Sequence, residues 1–132
     1  MEVMEIILLV GRILFGGFFI MSGINHFQNL GMMSGYAESK NVPSPRLTVI
    51  GTGAMLLVGG TSVLLGIGPI VGLTVLILFL LATLVTMHDF WTLKDPQQRA
   101  AEQANFLKNV ALIGASLALM YGASDWALAL YA

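Results

Sequence analysis

Seven polar residues interrupt long apolar runs and could do chemistry there: Arg12, Asn25, His26, His88, Asp89, Lys108 and Asn109. The two histidines could transfer protons, hold a ligand's carbonyl oxygens, or ligate a metal or haem. They have no fixed local spacing, so a metal shared between them depends entirely on packing, and neither metal nor haem is expected. The structural alternative is that these groups touch water or lipid head groups near an interface. Lys108 would then snorkel, and Asp89 would only neutralise Lys108 or a histidine. Arg12 lies seven residues beyond Glu5, about 10 Å along a helix. A guanidinium at that depth wants a carboxylate, several carbonyl oxygens or a water-filled pocket. Asp125 is the best carboxylate for it, and an anion or quinone head group is the functional alternative.

These residues sit in an extreme composition. Of 132 residues, 57% are hydrophobic and only 10% charged, giving a mean hydropathy of +0.85. A soluble domain carries roughly a quarter charged residues, and a soluble chain this short cannot cover so much apolar surface. The fold class is therefore all-α, an integral membrane four-helix bundle in a single domain over residues 1–132. The absence of cysteine excludes disulfide exchange and thiolate ligation within the chain. A net charge of −1 with no basic stretch excludes nucleic acid as a partner. The first residues carry Glu2 and Glu5 rather than basic groups, so the opening apolar run reads as a retained helix, not a signal peptide.

A spanning helix needs about 20 mostly apolar residues, and four segments qualify: about 3–27, 46–65, 69–91 and 105–122. Between the first two, Phe27, Leu30, Met33 and Ala37 recur at helical spacing, predicting a short interfacial helix over about 28–39. Ser44-Pro45 suits an N-cap and first helical position, and Gly66-Ile-Gly-Pro69 suits a tight turn between helices. Asp95, Pro96 and Gln98 read as a capped start of the last helix. Gly114, Ala118 and Gly122 share one face, where a neighbouring helix is expected to approach closely. Trp91, Trp126, Tyr121 and Tyr131 sit where interfacial belts place aromatics.

Four spans put both termini on one side. The two longer loops carry Lys40, Arg46, Lys94 and Arg99, while the terminal side carries Glu2, Glu5 and Asp125. The positive-inside rule then places loops 28–46 and 92–104 in the cytoplasm and both termini outside, most simply across a bacterial inner membrane. Asn25 and His26 end the first span, His88 and Asp89 the third, and Lys108 and Asn109 open the fourth. All six fall at similar depth near the cytoplasmic surface. A small polar site between the first, third and fourth spans is the functional expectation.

Gly11-Arg12-Ile-Leu-Phe-Gly16, Ser22-Gly23, Asn41-Val-Pro-Ser-Pro45, Thr52-Gly53, Gly59-Gly60, His88-Asp-Phe-Trp91, Asp95-Pro96, Arg99 and Phe106-Leu-Lys-Asn109 occur in that order. In this ordered set the chain resembles the DoxX family of small four-helix membrane proteins. The resemblance implies an accessory or quinone-proximal subunit of a membrane oxidoreductase system, with quinone as cofactor and a redox subunit as partner. Family members commonly carry an acid in the second helix, where this chain has Met55. The residues leave two other readings open: a small homo-oligomeric carrier or channel, or a membrane assembly factor without catalysis. Whether the chain is an enzyme stays open at this stage.

Overall fold

The computed structural model describes residues 1–131, and it is almost entirely helical. The elements are α1 (Val3–Gln28), α2 (Leu30–Ser39), α3 (Pro45–Leu65), α4 (Pro69–Thr86) and α5 (Pro96–Met120). Short 3-10 turns follow at Phe90–Thr92 and Ala123–Asp125. Three segments are long and apolar enough to cross a membrane: Val3–Gln28, Pro45–Leu65 and Pro69–Thr92. Leucine, isoleucine, valine and methionine side chains remain exposed along their outer faces, as lipid-facing surfaces require. This is an all-α membrane protein.

Prolines open three of the helices, at Pro45, Pro69 and Pro96, where a missing N–H costs nothing. Asp95 caps α5 by accepting from the Gln98 N–H at 3.1 Å. Ser44 does not cap in the expected way. It takes a left-handed conformation without a side-chain cap bond, and Thr48 Oγ1 closes the turn on the Pro43 carbonyl at 2.8 Å. α4 ends at Thr86, where the N–H groups of Met87 and His88 both return to the Thr83 carbonyl.

α1 packs on α3, α3 on α4, and α4 on α5, while α2 lies against α3. α1 and α3 approach most closely at Gly16 and Gly60. A Cβ on Gly16 would stand 2.7 Å from the Gly60 carbonyl oxygen, and one on Gly60 would stand 2.8 Å from that of Gly16. The anticipated small-residue face of α5 is not used this way. Added Cβ atoms at Gly114 and Gly122 would meet nothing within 4 Å, because α5 turns other residues toward α4. The core is built from Phe19, Leu56, Val63, Leu73, Leu76 and Leu80, closed at one end by Ala123 and Trp126.

That closed end holds Arg12, which is 1% exposed. Its Nε donates to the Val63 carbonyl at 3.1 Å and Nη2 to that of Leu64 at 3.0 Å. Nη1 reaches the Ala127 carbonyl at 2.7 Å, and Nη2 also approaches that of Leu128 at 3.4 Å. Trp126 lies with its ring 5.0 Å from the guanidinium carbon. Asp125 is therefore not the partner of Arg12. The carbonyls at the C-terminal end of α3, unsatisfied within the helix and carrying its negative dipole end, replace the carboxylate. Trp126 correspondingly is buried against a cation rather than placed in an interfacial belt. The segment after it straps across the α3–α4 turn. Leu130 N–H bonds Leu65, Tyr131 N–H bonds Gly66, and Gly68 N–H bonds the Tyr131 carbonyl. Gly66, at φ +69°, leaves no space for a side chain beside Ala129.

Candidate functional site

The opposite, loop-side end is less tightly filled. His26 occupies the last turns of α1, buried, with Nδ1 2.9 Å from the Ser22 carbonyl. Gly53 of α3 makes room for it, since a Cβ there would lie 2.9 Å from the His26 Cβ. Phe79 of α4 presents an edge to the imidazole at 6.2 Å between centroids. His88 follows the end of α4, and its Nδ1 meets Glu102 Oε2 of α5 at 2.7 Å. Asn109 donates from Nδ2 to Thr83 Oγ1 at 2.8 Å, tying α5 to α4. Asn25 accepts from Asn29 and points its amide nitrogen at Met33 Sδ. Lys108 Nζ sits 5.8 Å from the Phe18 ring centroid.

Two cavities lie here. The larger, about 670 Å³, runs beneath α2 between α3 and α4 and is mainly apolar, with His26, Tyr36, Thr52, Thr83 and His88 among its walls. The smaller, about 200 Å³, is bordered by Asn25, His26, His88, Lys108 and Asn109. His26, Met33, Phe79, Thr83 and His88 line both and so form the partition between them. Five of the seven polar residues singled out from sequence thus border one space. Arg12 stands at the other end of the bundle, and Asp89 is turned away.

Asp89 accepts Lys40 Nζ at 2.6 Å, with Thr92 Oγ1 adding a bond at 3.1 Å. The aspartate therefore neutralises a lysine of the loop after α2, not Lys108 or a histidine. Sequence reasoning also missed Glu102 and Tyr36, which meet at 3.4 Å over the larger cavity. Neither carries a local signal, because both look like ordinary interfacial residues. Burial, reinforced by the Glu102 carboxylate, raises the Tyr36 pKa, so the phenol keeps its proton and acts as the donor. Tyr36–Glu102 and Lys40–Asp89 together latch α2 over the cavity.

The hydrogen bond to Asp89 raises the Lys40 pKa. That contribution is fully present below the ordinary lysine value of about 10.4 and is lost only as pH rises through the higher folded value. The latch should therefore hold through neutral pH and open in strong alkali. Lys40→Met should weaken the docking of α2 by about 1–2 kcal/mol. Hydrogen exchange along Leu30–Ser39 checks both, and a variant exchanging like the parent would show that the pair does not hold the helix.

The DoxX family profile matches residues 7–89, which run from α1 through α4 to Asp89. The chain belongs to the DoxX family. No curated protein and no solved structure matches it. The matched region of this DoxX-family protein contains His26, His88 and both helices that flank the larger cavity. Glu102, Lys108 and Asn109 lie beyond it on α5, so the site joins the family-matched helices to the helix that follows. Among the described residues no three His, Asp or Glu side chains gather as a metal ion would need.

Proposed function

We propose that this DoxX-family chain is an accessory, quinone-proximal membrane subunit of an oxidoreductase system, binding the quinone ring beneath α2. The supporting observation is the mainly apolar cavity of about 670 Å³ bordered by His26 and His88. Its size and lining are typical of sites that fix a lipophilic ligand by a few polar groups. On this reading α5 is a fourth span, entering the membrane near Asn105. Both termini lie outside a bacterial inner membrane, with Lys40, Arg46, Lys94 and Arg99 in the cytoplasm.

Extraction in mild detergent at natural expression, followed by native mass spectrometry and organic extraction, tests the proposal. Retained quinone, in either redox form, or a co-purifying redox polypeptide is the expected result. A bare homo-oligomer would overturn it and favour a carrier role.

A further inference from the structure

The polar groups around the larger cavity have committed their hydrogens elsewhere. Thr48 Oγ1 donates to the Pro43 carbonyl and Thr52 Oγ1 to that of Thr48. Thr83 Oγ1 donates to Leu80 and Thr86 Oγ1 to Ala82, at 3.0 and 2.7 Å. The main-chain N–H groups of Val42, Met87 and His88 are spent on the carbonyls of Ala37 and Thr83, and the Tyr36 hydroxyl on Glu102. What these groups offer a ligand is lone pairs.

The histidines follow the same rule. A carbonyl oxygen only accepts, so His26 Nδ1, 2.9 Å from the Ser22 carbonyl, must carry the ring hydrogen. In the neutral ring Nε2 is then an acceptor. His88 Nδ1 likewise donates to the Glu102 carboxylate at 2.7 Å, so in the neutral ring its Nε2 is a lone pair. Neither Nε2 has a partner among the described residues. Since no enclosed side-chain nitrogen or oxygen lacks a partner, both keep accessible surface, and both rings line the pair of cavities.

A quinone presents carbonyl oxygens, which would set acceptor against acceptor and leave both unsatisfied in an apolar pocket. A hydroquinone presents two O–H donors. We propose that the cavity selects the hydroxyl-bearing, reduced ring over the carbonyl form, with His26 and His88 accepting the two hydroxyl hydrogens. This rests on the reading that a quinone-type ring occupies the site, and it adds which redox form the chain's own residues recognise. Sites built around hydrogen-bonding groups discriminate strongly against partners that leave those groups unpaired.

The test uses the full chain in phosphatidylcholine nanodiscs under anaerobic conditions, loaded with decylubiquinol or decylubiquinone at equal mole fraction. Bound ligand is quantified after rapid separation from empty nanodiscs. At least a tenfold preference for the quinol is expected, equivalent to a rise of about 30 mV in the midpoint potential of the bound couple. Replacing both rings by His26→Gln and His88→Gln supplies amide N–H donors of similar reach and should bring the ratio toward one. Equal or tighter binding of the quinone by the parent chain overturns the inference while leaving the quinone-site reading intact. A preference that survives the double substitution overturns the role of the two rings. Binding of neither form removes the proposed function itself. A poorly folded double variant would leave the decision to the parent ratio.

Discussion

Arg12→Leu is expected to destabilise the protein by about 3–5 kcal/mol and to release the segment that straps across the α3–α4 turn. Arg12 supplies the hydrogens for four main-chain carbonyls, those of Val63, Leu64, Ala127 and Leu128. Leucine fills much of the volume but donates nothing. Acceptors left bare in an apolar surround cost about 1–3 kcal/mol each, less where local relaxation finds another donor. The stacking of Trp126 on the guanidinium is lost as well. Thermal unfolding in detergent gives the stability, and amide exchange at Gly68, Leu130 and Tyr131 reports the strap, since these N–H groups form it. Arg12→Lys should fall between, because a single ammonium cannot reach both sets of carbonyls at once. If Arg12→Leu melts with the parent and those amides stay protected, Arg12 is not structural and its role must be sought in ligand binding.

Two adjacent glycines should respond to alanine with opposite signs. Gly16→Ala pushes a methyl to 2.7 Å from the Gly60 carbonyl and 3.1 Å from Leu64, so α1 and α3 must separate. Overpacking of this kind costs about 1–3 kcal/mol. The displacement also carries His26 away from its position opposite Gly53. Gly17 has nothing within 4 Å, and Gly17→Ala should gain up to about 1 kcal/mol from helix propensity alone. Steric trapping or thermal melting of the pair measures the difference. Equal effects at the two positions would show that α1 and α3 are not in the close contact described.

The contrast between those glycines marks how far the sequence can be read. Composition, the prolines at Pro45, Pro69 and Pro96, and the Gly66 turn were legible because they act locally or through the bilayer. The gathering of Asn25, His26, His88, Lys108 and Asn109 at one end followed from topology, which counts spans and needs no packing. Which helix neighbours which was not legible. Fifteen glycines look alike in the chain, and only the order α1–α3–α4–α5 makes Gly16 and Gly60 the close contact and leaves Gly114 open. The need of Arg12 for several oxygens was readable from its charge and depth. Its true partners were hidden because main-chain carbonyls carry no residue signature, and Asp125 was the best visible carboxylate. Glu102 and Tyr36 were missed for a related reason: their importance comes from α2 folding back over the end of α4, which no local pattern announces.

The Arg12 clamp has a consequence for the newborn chain. Two of its acceptors, at Val63 and Leu64, follow it by 51 and 52 residues, whereas Ala127 and Leu128 follow by 115 and 116. At ribosomal speeds the second pair arrives several seconds after the first, roughly three to thirteen seconds later. Through that interval a buried cation is held by half its final partners, with that end of the bundle unsealed. The α1–α3 pair must therefore be viable as a half-satisfied intermediate until the Ala127 and Leu128 carbonyls arrive.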